Sequence, residues 1–168
     1  MVATSPLLET KLYIPKWRPG LVTRPRLVEQ VNERLDGKLI LISAPAGFGK
    51  TTLLSEWAKN ADIPVSWVSL DAADNDLARF LTYCVAALQS LRPGIGEATL
   101  GALQAPQPPA IDALLTSLIN EIGDRLDTFA LVLDDYHFIE AQPVHAALTF
   151  LLENLPPQMH VVVAGRAD

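Results

Sequence analysis

A single cysteine, Cys84, in 168 residues leaves no intrachain disulfide to be made. It lies in the apolar stretch FLTYCVAAL, where a small buried hydrophobe is expected rather than a reactive thiol. Charge is also scarce: Asp, Glu, Lys and Arg make up 19% of the chain, with a net charge of -6. Only 13 residues are Lys or Arg, and most are dispersed, which argues against binding nucleic acid through its phosphates. The one basic cluster, Lys11, Lys16, Arg18, Arg24 and Arg26, is interrupted by prolines and reads as a solvated, extended surface segment. No apolar run approaches the roughly 20 residues of a membrane span. The start, MVATSPLLETKLYIP, lacks the charged and then apolar regions of a signal peptide. A soluble cytoplasmic protein with no membrane partner is expected.

What is present is a core. Hydrophobic residues make up 49% of a chain of about one domain's length. Residues 1–25, with Pro6, Pro15, Pro19 and Pro25, read as an extended arm, and residues 26–168 as one domain. PRLVEQVNERLDG has apolar Leu27, Val31 and Leu35 at helical spacing and Gly37 as a stop. Short continuous apolar runs at 38–45, 64–70, 129–135 and 160–166 read as strands buried on both faces. Between them, TTLLSEWAKNA, 77–91, 111–126 and 143–155 read as helices, and the Gly- and Pro-rich 92–110 as a loop with one helical turn inside. There is no internal repeat. Strand and helix alternate, so an α/β fold with a parallel sheet and helices on both faces is expected.

The stretch SAPAGFGKTTLLSEW joins the first strand to the next helix. A helix starting directly after a tight turn aims free N–H groups and its dipole at an anion. Gly47 and Gly49 permit close approach to a phosphate. Lys50 is placed to reach the β and γ phosphates, Thr51 to ligate Mg²⁺, and Thr52 to touch the α phosphate. The phosphate-loop pattern begins with Gly, and here that position is Ala44, a tolerable departure because the first glycine serves the turn. Ala44, Pro45, Ala46, Gly47, Phe48, Gly49, Lys50, Thr51 and Thr52 are therefore the expected phosphate contacts. The alternative, a Gly-rich turn that binds nothing, leaves Lys50 unexplained.

A phosphate loop calls for a carboxylate at the end of another buried strand. FALVLDDYH supplies two, and adjacent carboxylates repel unless a cation sits nearby. Asp134 is the candidate for the Mg²⁺ shell, and Asp135 for orienting or deprotonating the attacking water. A loop-start or capping role is the alternative for either. For His137 local packing or a hydrogen bond is favoured over catalysis. Arg166 ends the last strand on the same sheet edge, where it can meet the γ-phosphate; the alternative is a solvated arginine.

KLYIPKWRPGLVTRPRL, LISAPAGFGKTTLLSEW, VSWVSLDAADNDLARFLTYCVAAL and LVLDDYHFI, in this order, resemble the N-terminal ATPase domain of MalT-like, large LuxR-type transcriptional regulators, which are STAND-class ATPases. The resemblance runs from about residue 7 to the end. It implies a P-loop NTPase three-layer α/β fold, bound ATP or ADP with Mg²⁺, and an ATP-favoured, self-associating switch that hydrolysis resets. It gives Arg166 the role of γ-phosphate sensor and places Val22, Thr23 and Arg24 near the adenine. Such regulators continue with helical, sensor-repeat and helix-turn-helix portions, so DNA and a small-molecule or protein inducer would be met outside this segment. Slow hydrolysis at best is expected of the segment alone. A fifth strand beside the first is also implied, with no candidate left for it, so an exposed sheet edge prone to self-association is expected. LDAADND matches a signature of the family. Its acids face the metal edge or cap the next helix through Asp74 or Asn75, the cap being favoured. Gly165 departs from the family's more usual Ser.

Two other readings remain open: a small-molecule P-loop kinase, and a segment that folds but no longer binds nucleotide. Strand order separates the first of these. A kinase-type sheet usually puts the first strand beside the acidic one, whereas ATPases of this class insert another strand between.

Overall fold

Burial on both faces dictates the centre of the sheet. FALVLD is buried at all its positions and forms β3 (Phe129–Asp134). It pairs with β2 (Val65–Ser69) on one side and β4 (Met159–Arg166) on the other, and β4 pairs in turn with β1 (Leu39–Ala44). Every pairing is parallel, and the order is β1-β4-β3-β2. The computed structural model describes residues 6–16, 25–33, 39–44 and 49–166. Among these, the helices are α1 (Pro25–Glu33), α2 (Lys50–Asn60), α3 (Leu77–Gln89), α4 (Glu97–Leu103), α5 (Ile111–Arg125) and α6 (Gln142–Glu153).

Alternate strand side chains go to opposite faces. Leu131, Leu133, Val161 and Val163 pack with Phe80, Leu115 and Leu148 of α3, α5 and α6. Ala130, Val132, Val162 and Ala164 face Val28 and Val31 of α1 and two fully buried indoles, Trp57 of α2 and Trp67. Each indole N–H finds a partner, Trp57 the Asn32 side-chain oxygen at 2.7 Å and Trp67 the Ser69 hydroxyl at 3.0 Å. This is the three-layer α/β arrangement, and Cys84 is buried in it as a small apolar group. Burial, with the Asp74 charge adding to it, pushes the Cys84 thiol up to about 12. None of the described helices is long and apolar enough to cross a membrane.

Two segments differ from expectation. The Gly- and Pro-rich 92–110 holds a seven-residue helix, α4, rather than one turn. Gly96 starts it in the left-handed region at φ 75°, where a β-carbon would stand 2.6 Å from Val85 Cγ1, so this glycine marks a helix start. In the arm, Glu9–Leu12 forms a 3₁₀ turn against β2, and Lys11 is 5% exposed rather than solvated. The reason is acidic: Lys11 Nζ bonds Asp71 at 2.9 Å and also Asp74. The arm thus lies over the β2 side of the sheet, which manages one exposed edge.

At the other edge, nothing among the described residues pairs with the free side of β1. On that strand Leu39 is 37% and Leu41 65% exposed. Burying one leucine is worth about 1.5–3 kcal/mol. Leu41→Lys is therefore expected to weaken any concentration-dependent self-association through this edge about 10- to 150-fold. Analytical ultracentrifugation checks this, and an unchanged association constant would place the contact elsewhere.

Candidate functional site

The carboxyl ends of the strands bring the chemistry together. β1 ends at Ala44, whose register partner across the ladder is Arg166 of β4. The next residues of the phosphate loop, Pro45, Ala46, Gly47 and Phe48, lie outside the described residues, as do Val22, Thr23 and Arg24. Gly49 caps α2 in the left-handed conformation (φ 72°, ψ 30°). Lys50, Thr51 and Thr52 form the first turn of α2, where helix N–H groups are free.

Across the sheet edge, the Thr51 hydroxyl donates to Asp134 Oδ2 at 2.8 Å, and Lys50 Nζ stands 3.3 Å from Asp135 Oδ1. Residues more than eighty positions apart therefore meet as two neighbouring pairs. Asp134 is 1% exposed. Burial, chiefly, and the Asp135 charge push its carboxyl above the usual range, offset in part by the Thr51 hydroxyl, the Asp135 N–H and the Lys50 charge. Asp135 Oδ1, not Asp134, takes the lysine, so among the described residues the buried carboxylate faces a hydroxyl and one N–H without a cation of its own. A divalent cation fits that need. Mg²⁺ takes one or two protein ligands and keeps water and phosphate for the rest, so Thr51 with Asp134 is a sufficient protein share. Among the described residues no group of three His, Cys, Asp or Glu forms a self-contained metal cage.

Asp135 is the one non-glycine described residue at positive φ (59°, ψ 36°). Its carbonyl accepts from Phe138 N–H at 3.1 Å, closing the 3₁₀ turn Tyr136–Phe138. His137 Nδ1 accepts the Arg166 N–H at 3.1 Å, which is the local hydrogen bond expected of it. Gly165 lies against the same turn, where a β-carbon would meet the His137 backbone nitrogen at 3.4 Å. The Arg166 side chain is exposed at the sheet edge beside the end of β1.

The LDAADND stretch departs from the capping expected of Asp74 or Asn75. Asp76 caps α3, accepting from Arg79 N–H at 3.3 Å. Asp71 and Asp74 form a capping box on the 3₁₀ turn Ala72–Asn75. Asp74, fully buried, also holds Lys11 and Arg79, the latter at 3.2 Å. Burial alone would raise Asp71, but the Lys11 and Ala73 hydrogen bonds and the Lys11 and Arg79 charges bring its carboxyl below the usual range. Asn75 reaches away from α3 to the loop after β3. Neither Lys11 nor Asn75 was legible as a tie between segments, because no spacing rule links residues 11, 74 and 138.

With this geometry in place, similarity to known proteins decides the family. The AAA ATPase domain family matches residues 21–164. The chain belongs to that family. This AAA ATPase domain is 36% identical over 160 residues to the HTH-type transcriptional regulator MalT of Klebsiella pneumoniae (strain 342). It is 34% identical to MalT of Yersinia pestis (strain Pestoides F). Both matches cover 95% of the chain and 18% of the regulator, so it spans under a fifth of the length of these relatives. In structure it is similar to the Walker-type ATPase PABY2304 of Pyrococcus abyssi, with TM-score 0.59 and 16% identity, covering 90% of this chain and 47% of that one. That likeness supports a P-loop ATPase fold for the AAA ATPase domain.

Proposed function

We propose that this domain is the ATP-binding, slowly hydrolysing switch of a signal-responsive transcriptional regulator. The observation that carries the reading is the double contact of the first turn of α2 with the end of β3, Thr51 on Asp134 and Lys50 beside Asp135. Resemblance to MalT supports the regulator context. The reading assigns the phosphates to 44–52, with Lys50 leaving Asp135 for the β and γ phosphates as ATP enters. Thr51 and Asp134 hold Mg²⁺, which neutralises phosphate charge when bound. Asp135 then orients the attacking water through a hydrogen bond or takes its proton, and Arg166 reads the γ-phosphate from the end of β4. Val22, Thr23 and Arg24 are proposed beside the adenine. DNA, the inducer and productive self-association belong to parts of a longer protein.

Strand order weighs against the kinase alternative, because β4 stands between β1 and the acidic β3. Calorimetric titration with ATP and ADP, with and without Mg²⁺, tests the proposal. ATP should bind, with a Mg²⁺-dependent gain that Asp134→Asn removes, and turnover should stay below about 1 per second, under the range of ordinary enzymes. No binding by the unaltered chain, or phosphate transfer to a metabolite, would overturn it.

The same variant has an opposite effect on stability. The folded Asp134 carboxyl is raised above its ordinary value, so the folded chain holds that proton more tightly than the unfolded chain. Stability therefore falls as pH rises from the ordinary carboxylate value of 3.8 through the raised folded one. At neutral pH Asp134→Asn removes a buried charge while its oxygen accepts the Asp135 N–H and its amide donates to the Thr51 hydroxyl. Without nucleotide it should raise Tm by about 2–4 °C per kcal/mol relieved.

A further inference from the structure

The loop that carries Asp135 is held from both sides by residues outside the phosphate-contacting set. On one side stands Asn75. Its side-chain oxygen accepts Glu140 N–H at 2.7 Å and Ala141 N–H at 2.8 Å, and its amide nitrogen donates to Phe138 O and Ala72 O, both at 2.9 Å. An asparagine side chain has two donors and an oxygen with two lone pairs. All four capacities are met by backbone groups, and three of the four lie in the loop after β3. The pattern also fixes which atom is oxygen, since the reverse orientation would face donors with donors. On the other side, His137 Nδ1 takes the Arg166 N–H, and Gly165 lets the loop approach β4 closely. Between these two attachments sits Asp135, in a left-handed conformation that a non-glycine residue holds only when its surroundings impose it.

We propose that Asn75 is a positioning residue of the nucleotide site: it sets the loop 135–141, and through that loop it fixes Asp135 opposite Lys50 and couples the site to Arg166 by way of His137. The inference rests on the ATP-site reading above and adds to it a part that touches neither phosphate nor metal. The residue type is specific. Aspartate at 75 keeps the two acceptor contacts and loses both donor contacts. Glutamine carries the same groups one methylene too far to meet all four partners, and alanine loses all four. The same short turn holds Lys11 through Asp74, so the arm and the acidic loop are fastened to one element, Ala72–Asn75.

Two measurements on the full 168-residue chain test this. The first needs no nucleotide. Amide hydrogen exchange in Asn75→Ala should rise about tenfold or more at Glu140, Ala141 and Arg166, with Leu131 and Leu118 unchanged, as for local opening. Unchanged exchange at Arg166 overturns the coupling, and a uniform rise across the sheet reduces Asn75 to a general stabiliser. The second is steady-state ATP turnover. Orienting a water by a side chain is worth about 10²–10⁴ in rate, so loosening Asp135 should lower kcat about tenfold while KM stays within about twofold. Asn75→Asp should fall between alanine and the original. The double variant Asn75→Ala, Asp135→Ala should be no slower than Asp135→Ala alone, because both act through one carboxylate. Fully additive losses overturn the positioning role. If the unaltered chain shows no binding or turnover, the ATP-site reading fails on that measurement, and hydrogen exchange still decides whether Asn75 sets the loop.

Discussion

Lys50→Ala is expected to weaken ATP binding about 10- to 150-fold while leaving the fold nearly untouched. A hydrogen bond to a charged group is worth about 1.5–3 kcal/mol, and that range converts to the stated factors. On the proposed ATP-site reading, lysine at this place acts as a point charge on the phosphates. Without nucleotide its neighbour is Asp135, at 3.3 Å and partly open to solvent. Such a pair contributes about 1 kcal/mol or less, so Tm should move by no more than about 4 °C. The two measurements therefore separate: calorimetry should show a large loss, and thermal melting a small one. Equal ATP affinity in both proteins would mean that the first turn of α2 does not hold phosphate. Loss of the melting transition would mean that Lys50 is structural.

The meeting of Thr51 with Asp134 was legible in the sequence. The apolar run ending abruptly in Asp134 marks where a buried strand delivers a charged group to a sheet edge, and Lys50 opens the helix that follows the glycine-containing turn after β1. A phosphate loop also demands a partner carboxylate, so Thr51 and Asp134 could be matched across the chain. Strand order was not legible, because periodicity reports burial and carries no information on which strand lies beside which. The same limit hid Lys11. A lysine among prolines carries the signature of a solvated arm, and its burial follows only from Asp71 and Asp74 lying beneath it. The LDAADND acids suggested capping from local spacing alone, and capping is one of their tasks, shifted to Asp71, Asp74 and Asp76. The long-range partners, Lys11 for Asp71 and Asp74, and Phe138 and Glu140 for Asn75, are tertiary facts. The Gly- and Pro-rich composition of 92–110 hid α4 in the same way, since one of its glycines, Gly96, stands at the helix start.

Asp74→Ala should be the most destabilising single change among the charged residues described. Asp74 is fully buried and accepts from Lys11 Nζ, from Arg79 Nε at 3.2 Å and from the Asp71 N–H at 2.9 Å. The cations are further placed over one ring: Lys11 Nζ lies 4.6 Å and the Arg79 guanidinium 5.1 Å from the Tyr83 centroid. The Tyr83 hydroxyl in turn accepts the Leu8 N–H at 3.0 Å, so the arm is held by its backbone as well as by its lysine. Removing one partner of a buried pair leaves the other charge uncompensated, at a cost of about 3–5 kcal/mol. Lys11 keeps Asp71, which is half-exposed, so the lower end applies. About 3 kcal/mol corresponds to a fall of roughly 6–12 °C in Tm. Lys11→Met should cost less, because Asp74 retains Arg79 and the Asp71 N–H while the methionine keeps the packing of the lysine stem. It should nevertheless free the arm, seen as faster proteolytic cleavage ahead of α1 with the sheet intact. A fall under about 2 °C for Asp74→Ala would show that the cluster adds little to stability. Equal falls for both variants would show that the lysine, rather than the carboxylate, is the centre of the clasp.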